Sequence, residues 1–420
     1  MSRPRSLEAV VAHGLCTGCG LCESLLGRDR VEMRLTADGY LRPTVKAAIP
    51  PAELAPVLAV CPGATITGPA APEQRGAFAG ATLHPVWGPV AAIQRVWAGD
   101  PAIRHRAAAG GARAAPGGLL PASGHGDAVP QGRAPSEQPI LTDAQVSTTP
   151  QQVIEGAQSR YGPAAPLVHV QRLLDEGRRF AVIAKPCDVA AVRALQRQDP
   201  RARAQIPYLL TIFCGGVPTT FTAEKIARHA GFEPDELRVF RWRGNGWPGP
   251  TRMETRDGRV AELTYDEAWY NPAATWTYDI QFRCKLCPDA IGELADVACP
   301  DGWIMQDGKP LHREAPGVNI ALARTSAGRT LVAEALAAGA LAGAPFTVDE
   351  LLAMHGDHLD RKLGHPARLL GLRLAGEPVP RLRGYRWWAT VRRKGWRGNW
   401  QALRGAYRRA RAGANREGAG

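Results

Sequence analysis

The stretch 180–196 reads Phe-Ala-Val-Ile-Ala-Lys-Pro-Cys-Asp-Val-Ala-Ala-Val-Arg-Ala-Leu-Gln, an apolar run followed by a turn and a helical pattern. Its first part, Phe180–Lys185, suits a buried strand, and Val189–Gln196 then predicts a helix. The order repeats, because Ile206–Phe213 predicts a second buried strand and Thr219–His229 a second helix. Strands that alternate with helices at this spacing indicate βαβ units, so we expect an α/β fold with a mostly parallel sheet core.

The same pattern extends to both sides of this stretch. Val90–Trp97 predicts a strand and Pro166–Glu176 a helix, whereas Val318–Arg324 predicts a strand that is followed by a helix over Gly328–Ala338. A chain of 420 residues is long enough for several domains whose cores need no disulfides.

Composition and charge exclude two classes of protein. Hydrophobic residues make up 45% and charged residues 22% of the chain, which excludes wholesale disorder. The net charge of +13 is uneven, because residues 381–420 contain twelve Lys or Arg and one acid, Glu417, and so carry +11. A basic tail on a nearly neutral body predicts a local electrostatic contact, not a protein built to wrap nucleic acid.

Cysteine usage and the absence of export signals indicate the compartment. The N-terminal residues contain no apolar region of the signal-peptide kind, and the apolar stretch 331–346 is too short to span a bilayer. Nine cysteines, an odd number in tight groups, do not suit a secreted disulfide framework. We therefore expect a cytoplasmic protein whose reduced thiols serve as ligands.

The N-terminal segment contains a cysteine run with a specific spacing. Cys16, Cys19 and Cys22 are separated by two residues each, and intervening glycines let the backbone amides turn towards sulfur. Cys61, which precedes a proline, supplies a fourth thiol. This pattern is typical of a 4Fe–4S site of the bacterial ferredoxin kind. Two alternatives remain: a zinc site, which prefers two separated cysteine pairs, and unconnected buried thiols.

A second set of cysteines is more loosely spaced. Cys284 and Cys287 form a C-x-x-C knuckle, while Cys187 and Cys214 each follow a predicted parallel strand. Ligands gather at the carboxyl edge of such sheets, so these four thiols predict a second site, with Cys299 as a spare candidate. A zinc knuckle or plain core cysteines are the alternatives.

The basic tail shows helical spacing. Arginines occupy a face next to one formed by Trp396, Trp400, Leu403, Tyr407 and Ala410. A basic amphipathic helix with tryptophans suits an anionic membrane surface, and it would also suit an acidic protein partner or non-specific nucleic acid. A disordered solubilising tail is the alternative.

Taken together, these motifs resemble the coenzyme F420 hydrogenase/dehydrogenase beta-subunit family, which is related to ferredoxin-dependent chlorophyll-pathway reductases. The resemblance covers about Gly14 to Gly328. Five motifs carry it: Cys16-Thr-Gly-Cys-Gly-Leu-Cys, Lys185-Pro-Cys-Asp-Val-Ala-Ala, Phe213-Cys-Gly-Gly-Val-Pro, Arg243-Gly-Asn-Gly-Trp-Pro-Gly, and Cys284-Lys-Leu-Cys-Pro-Asp continuing to Asp296.

The resemblance implies FAD and two 4Fe–4S clusters as cofactors. It implies that the second cluster is held by Cys187, Cys214, Cys284 and Cys287, and it leaves Cys299 out. The turn that opens a helix near the flavin in this family corresponds here to Ala109-Gly-Gly, without the usual serine.

Five residues are candidates for flavin binding. Gly110 and Gly111 let a helix N-terminus approach the FAD pyrophosphate. Lys185 suits a phosphate or the charge of a reduced flavin, and its alternative is a solvated surface lysine. Arg243 and Asn245 lie in a glycine-rich loop that suits an anionic substrate, the flavin or a plain turn. No spacing selects a catalytic acid.

The segment 112–138 departs from the family pattern. Fifteen of its 27 residues are Gly, Pro or Ala, so we expect neither a helix nor a core strand there. The family pattern resumes at Ile140. Loss and recovery over a bounded stretch favours the hypothesis that this segment is out of frame, which places flavin binding in doubt.

These observations predict five parts along the chain. They are a ferredoxin-like 4Fe–4S module over 1–70, an α/β flavin-binding part over 83–165, an α/β domain with the second cluster over 166–345, a helical extension over 346–380 and a basic amphipathic helical tail over 381–420.

The expected function is that of an iron–sulfur flavoprotein oxidoreductase, which couples one-electron transfer through 4Fe–4S clusters to two-electron chemistry at FAD. The alternatives are a non-catalytic electron-transfer subunit, a ferredoxin-dependent tetrapyrrole reductase and, less favoured, an iron–sulfur nucleic-acid-binding protein. Expected partners are ferredoxin or another redox protein, a small redox substrate and, through the tail, an anionic membrane surface, with no specific nucleic acid. We therefore expect a cytoplasmic location, with peripheral association with a membrane as the one alternative.

Overall fold

The fold is seen in a computed structural model that describes residues 3–115, 126–271 and 279–417. Its α-helices are α1 (Leu7–Ala12), α2 (Leu21–Leu26), α3 (Pro51–Val60), α4 (Pro101–Arg106), α5 (Pro150–Glu155), α6 (Val170–Asp175), α7 (Pro186–Gln198), α8 (Pro200–Gln205), α9 (Thr220–His229), α10 (Tyr265–Tyr270), α11 (Phe282–Lys285), α12 (Ser326–Ala337), α13 (Val348–Met354), α14 (Gly356–Leu363), α15 (His365–Leu374) and α16 (Trp387–Arg411).

The strands that the structure describes are short and are distributed over seven sheets. They are β1 (Val31–Leu35), β2 (Leu41–Val45), β3 (Thr65–Thr67), β4 (Thr82–His84), β5 (Gly88–Val90), β6 (Ala92–Ala98), β7 (Val129–Arg133), β8 (Asp143–Ser147), β9 (Val182–Ile183), β10 (Leu209–Thr211), β11 (Leu237–Arg241), β12 (Thr251–Thr255), β13 (Val260–Leu263), β14 (Val297–Ala298), β15 (Met305–Gln306), β16 (Lys309–Pro310), β17 (Asn319–Ala323), β18 (Leu341–Pro345) and β19 (Arg381–Arg383).

The central sheet has six strands in the order β18-β6-β17-β14-β10-β9. Successive residues of its strands point to opposite faces. Val182 and Leu209 pack with α7 in one core, whereas Ile183 and Leu210 pack with α12 in another. Helices therefore cover both faces, which agrees with the expected α/β class.

The sheet is mixed, and the expectation of a mostly parallel core is wrong for half of it. Strands β9, β10 and β14 are parallel, but β17 is antiparallel to β14 and to β6, and β18 is antiparallel to β6. A parallel pair needs a crossover, usually a helix. No helix lies between β14 and β17, only the small hairpin of β15 and β16, so the chain returns in the opposite direction.

The segment 112–138 also differs from its prediction. Strand β7 lies within it and pairs antiparallel with β8, and Ala128 and Val129 are fully buried. Backbone pairing and burial against the main sheet place a strand here despite the poor composition, because tertiary context outweighs strand propensity. Residues 116–125 lie outside the described residues, and the out-of-frame hypothesis stays a prediction.

The C-terminal tail folds onto the N-terminal part of the chain. Strand β19 pairs in parallel with β3, and α16 packs on α15 through Ala406 and Ala410. Glu417 forms an ion pair with Arg42. The alternative of a disordered tail is therefore wrong for the described residues. Nor is any described helix, this one included, long and apolar enough to cross a membrane.

A buried carboxylate joins three segments of the fold. Glu293 has no exposed surface and contacts the ammonium of Lys362 on α14 and the guanidinium of Arg386 just before α16. Burial alone would raise the pKa of Glu293, but the two cations lower it to about 2. The charge is therefore retained in the core because it is paired twice.

We predict that Glu293→Gln lowers the free energy of unfolding by about 3–5 kcal/mol at neutral pH, because it leaves two buried cations without their counter-charge. Urea unfolding followed by circular dichroism measures this. Glu53→Gln is the matched control. It breaks the ion pair between Arg30 and Glu53, whose side chains are partly exposed to solvent, and it should have a much smaller effect.

Wild type and Glu293→Gln also test how the free energy of unfolding depends on pH. The folded-state pKa of about 2 lies below the ordinary 4.5, so the ionised Glu293 stabilises the fold above pH 4.5 and loses this effect as the pH falls towards 2. The stability gap between wild type and variant should narrow over that range. A gap that stays constant would contradict the assignment.

Candidate functional site

The first four cysteines predicted as ligands lie around one apolar cavity. Cys16 and Cys19 lie in the loop between α1 and α2, Cys22 lies in the first turn of α2, and Cys61 ends α3. All four line the cavity together with apolar residues such as Leu7, Val10, Met33, Val57 and Val60. The structure therefore brings this set together from positions up to 45 residues apart.

Glycines shape the loop that carries these thiols. Gly20, the residue before α2, has a φ of +82°, and a Cβ there would lie 2.5 Å from Val168. The position therefore needs glycine both for its backbone conformation and for space.

Backbone amides point at the sulfur atoms of both sets. The Gly18 amide lies 3.4 Å from the Cys16 Sγ, and Leu21 and Gly63 amides hydrogen-bond Cys19 and Cys61. Amides of Gly216 and Asp289 do the same for Cys214 and Cys287 in the second set. N–H···S bonds of this kind stabilise charged thiolates and tune cluster potentials.

The second set lies at the carboxyl ends of the parallel strands, as the sequence predicts. Cys187 follows β9 in the first turn of α7, and Cys214 follows β10. Cys284 on α11 lies close to Cys187 and Cys214, and it accepts a hydrogen bond from the Val217 amide at 3.3 Å. Cys287 completes the group next to Cys284 and Cys214.

Two charged residues lie between the sets. Arg283 interacts electrostatically with Cys61 of the first set and Cys287 of the second. Its guanidinium also donates to the Pro62 carbonyl at 3.2 Å. Asp188 interacts with Cys19 and Cys187. The two thiol sets are therefore neighbours.

Cys16 and Cys19 are buried and the other six thiols are partly buried, and this affects their chemistry. Burial raises the pKa of Cys61 and Cys287 to about 11 and that of Cys214 to about 12. Protonated thiols in such surroundings are poor nucleophiles, whereas iron would hold them as thiolates. Across the described residues, no three His, Cys, Asp or Glu side chains converge on a single-ion site.

Cys299 lies apart from both sets. It is buried, its Sγ lies 4.0 Å from the Ala112 carbonyl, and its pKa is raised to about 12 by burial, with Arg113 as the neighbouring charge. The structure gives it the position of a core residue.

Lys185 lies beside the second cysteine set. Its ammonium pairs with Asp188 at 2.8 Å, and its side chain is only 16% exposed. Burial alone would lower the pKa of Lys185, but Asp188 outweighs burial and raises it. The alternative of a solvated surface lysine is wrong, and the cation is positioned to offset charge on Cys187 and Cys214.

Arg243 is a buried clamp between four segments. Its guanidinium donates to Asp301 at 2.9 Å, to the Ala108 carbonyl at 2.8 Å, to the Pro248 carbonyl at 2.9 Å and to the Tyr161 hydroxyl at 3.3 Å. Protein groups thus occupy Nε and both terminal nitrogens. The residue positions the loops around it, and its assignment to flavin binding stays a prediction.

The turn with Gly110 and Gly111 is held against this loop. The Asn245 amide donates to the Arg106 carbonyl, and the Asn245 side chain is exposed. Gly110 has a φ of +82°, and a Cβ there would lie 2.7 Å from the Gly317 carbonyl. The structure thus brings Gly110, Gly111, Arg243 and Asn245 together, whereas Lys185 contacts the second cysteine set.

Unpaired polar groups at this junction fit an anionic ligand. Arg106 Nε is buried without a hydrogen-bond partner. Within the described ranges, neither the Gly110 nor the Gly111 amide donates to a protein acceptor. Arg113 is partly buried and interacts electrostatically with Asp301 and Tyr161. Backbone amides and arginines are the groups that bind phosphate, so the chemistry of these residues fits the pyrophosphate of FAD.

Sequence reasoning missed an aromatic group on the other side of Arg243. The guanidinium lies 5.3 Å from the Tyr265 ring and 5.6 Å from the Trp303 ring. Trp247 and His312 pack against Trp303 at 5.2 and 5.1 Å. These residues are far apart in the chain, and spacing gave no signal for them. Arg283 could have been noticed, because it immediately precedes Cys284.

The carboxylates of the Cys284 motif have structural partners. Asp289 accepts two hydrogen bonds from the Glu293 amide, at 2.8 and 3.0 Å. Asp296 accepts from the Leu209 amide and the Thr325 hydroxyl and pairs with Arg193 at 3.1 Å. These acids order the segment that follows Cys287.

Comparison with known proteins supports the resemblance. Residues 177–348, less than half of the chain, match the family model that describes the C terminus of the coenzyme F420 hydrogenase/dehydrogenase beta subunit, in line with the resemblance drawn from the motifs. A chain of the F420-reducing [NiFe] hydrogenase complex from Methanosarcina barkeri has a similar structure, with a TM-score of 0.54 and 18% identity. The match covers 71% of this chain and 98% of that chain, and it shows a shared fold alone. No curated relative matches the chain.

We predict that Arg243→Lys lowers the free energy of unfolding by about 2–4 kcal/mol, because an ammonium cannot replace the forked contacts to Asp301, Ala108 and Pro248. Chemical denaturation measures the loss. Asn245→Gly keeps the positive φ of this exposed position and should leave stability nearly unchanged. Equal stability of wild type and Arg243→Lys would show that the contacts of the Arg243 guanidinium do not stabilise the fold.

Proposed function

Because residues 177–348 match the coenzyme F420 hydrogenase/dehydrogenase beta-subunit family, we propose that this chain is an iron–sulfur flavoprotein oxidoreductase. It couples one-electron transfer through two 4Fe–4S clusters to two-electron chemistry at FAD. The observation that carries the proposal is the gathering of two neighbouring sets of four buried or partly buried cysteines, each with backbone amides aimed at sulfur.

In this proposal the protein supplies ligands, charge and shielding. Cys16, Cys19, Cys22 and Cys61 hold one cluster, and the second set holds the other. Lys185 and Arg283 offset the negative charge of thiolates, and burial keeps water from the sulfurs. The adjacency of the sets gives electrons a short route between clusters.

The junction around Gly110 binds FAD in the same proposal. Its amides and Arg106 hold the pyrophosphate, and Arg243 fixes the two loops that form the site. When bound, the flavin would supply two-electron hydride chemistry towards a small redox substrate and one-electron transfer to the clusters. The electron partner is ferredoxin or another redox protein.

A second candidate is an electron-transfer subunit whose substrate chemistry lies elsewhere. It is favoured by the structural neighbour, because that chain comes from a multi-subunit hydrogenase complex. Flavin content separates the two candidates. Protein purified without oxygen should contain about eight irons and one FAD for the first and about eight irons without flavin for the second.

We predict that Cys19→Ser and Cys214→Ser each reduce iron by about four atoms per chain, because each removes a ligand from a different cluster. Iron and acid-labile sulfide assays and the visible spectrum measure this. Cys299→Ser is the control and should retain all the iron. Zinc in place of iron, or equal loss in the Cys299 variant, would refute the two-cluster assignment.

We predict that Arg106→Met weakens FAD binding about tenfold or more and leaves iron unchanged, since it removes a cation from the phosphate site. Flavin released from anaerobically purified protein, and its binding curve, provide the measurement. His105→Gln alters an exposed neighbour on the same helix and serves as control. Unaltered flavin binding by Arg106→Met would place the FAD phosphates elsewhere.

A further inference from the structure

The outward side of α16 exposes large aromatic side chains. Trp388 is 83% exposed, Trp396 75%, Trp400 58% and Tyr407 39%. Exposed aromatic residues in one helix at this density are unusual for a free surface and mark a site of contact.

Aromatic and cationic residues form two adjoining rows after the kink at Gly395. Helical spacing places Trp396, Trp400 and Tyr407 in one row and, in the next, Arg397, Arg404, Arg408 and Arg411. We name these seven residues the aromatic–arginine face. The Arg397 guanidinium lies 5.2 Å from the Trp396 ring, so the two rows touch.

The face carries an unbalanced positive charge. No acidic residue occurs in Trp387–Arg411, which contains eight Lys or Arg. Among the described carboxylates, Asp360 alone pairs with this helix, and its partner is Lys394 outside the face.

The opposite side of the helix holds the face in place. Ala406 and Ala410 are buried against α15, and Leu403 and Tyr407 backbone atoms pack on Gly371. Beyond the helix, Arg416 and Glu417 are anchored by Glu377 and Arg42. The face is therefore presented by a docked helix and needs no partner in order to fold.

We propose that the aromatic–arginine face binds an anionic membrane surface, with α16 lying along the lipid headgroups. Tryptophan and tyrosine favour the boundary between headgroups and acyl chains, and arginines beside them meet acidic headgroups. The aromatic row runs along a convex ridge of about 16 Å. A fluid bilayer adapts to such a ridge, whereas a protein partner would need matching pockets for each ring. The proposal is independent of the cofactors.

The test is co-sedimentation of the full chain with vesicles of phosphatidylcholine alone or with about 30 mol% phosphatidylglycerol. We expect binding to the anionic vesicles only, weakening as salt rises. Arg397→Gln/Arg404→Gln/Arg408→Gln should lower affinity about tenfold or more. Trp396→Ser/Trp400→Ser should also lower it while keeping its salt dependence.

Matched controls change charge and apolar surface elsewhere. Arg75→Gln/Lys225→Gln/Arg329→Gln removes the same charge from exposed positions, and Leu83→Ser/Val260→Ser removes exposed apolar side chains. Both should bind like wild type. No binding to anionic vesicles at low salt, equal losses in face and control variants, or binding to an acidic protein without vesicle binding would each overturn the proposal.

Discussion

The fold depends on keeping the carboxylate of Glu293 charged inside the protein. An unpaired buried carboxylate would take up a proton or force the core open, so two cations must reach it. One comes from Lys362 on α14 and the other from Arg386 before α16. This contact joins the segment after Cys287 to the C-terminal helices. The position of the basic tail is therefore linked to the segment that carries half of the second cysteine set.

A related constraint acts on the thiols themselves. Burial disfavours a charged sulfur, and backbone amides and nearby cations oppose this effect. Gly18, Gly63 and Gly216 supply amides, while Arg42 and Arg283 supply charge. Glycines beside these cysteines are thus favoured by electrostatics as much as by chain geometry. The same glycines make the cysteine motifs easy to recognise in the sequence.

The interior and the surface of the molecule hold their charged groups in different ways. The cysteine sets are buried or partly buried and Arg243 is buried, while the aromatic–arginine face points outward. Inside the protein, Lys185, Arg243 and Lys362 are each engaged by a carboxylate, whereas the arginines of the face meet solvent. Because the tail is anchored at both its ends, a membrane bound to α16 would hold the core in a fixed orientation.

Local sequence determined a good deal about this protein. Short-range spacing predicted the helices after Lys185 and before Gly231, the C-x-x-C motifs and the helical tail, because these depend on contacts within a few residues. The tertiary structure alone decided the mixed sheet, strand β7 in the glycine-rich segment and the engagement of Arg243 by four partners. Most of these depend on contacts between residues tens to hundreds of positions apart. Burial and charge pairing select them only once the chain has folded.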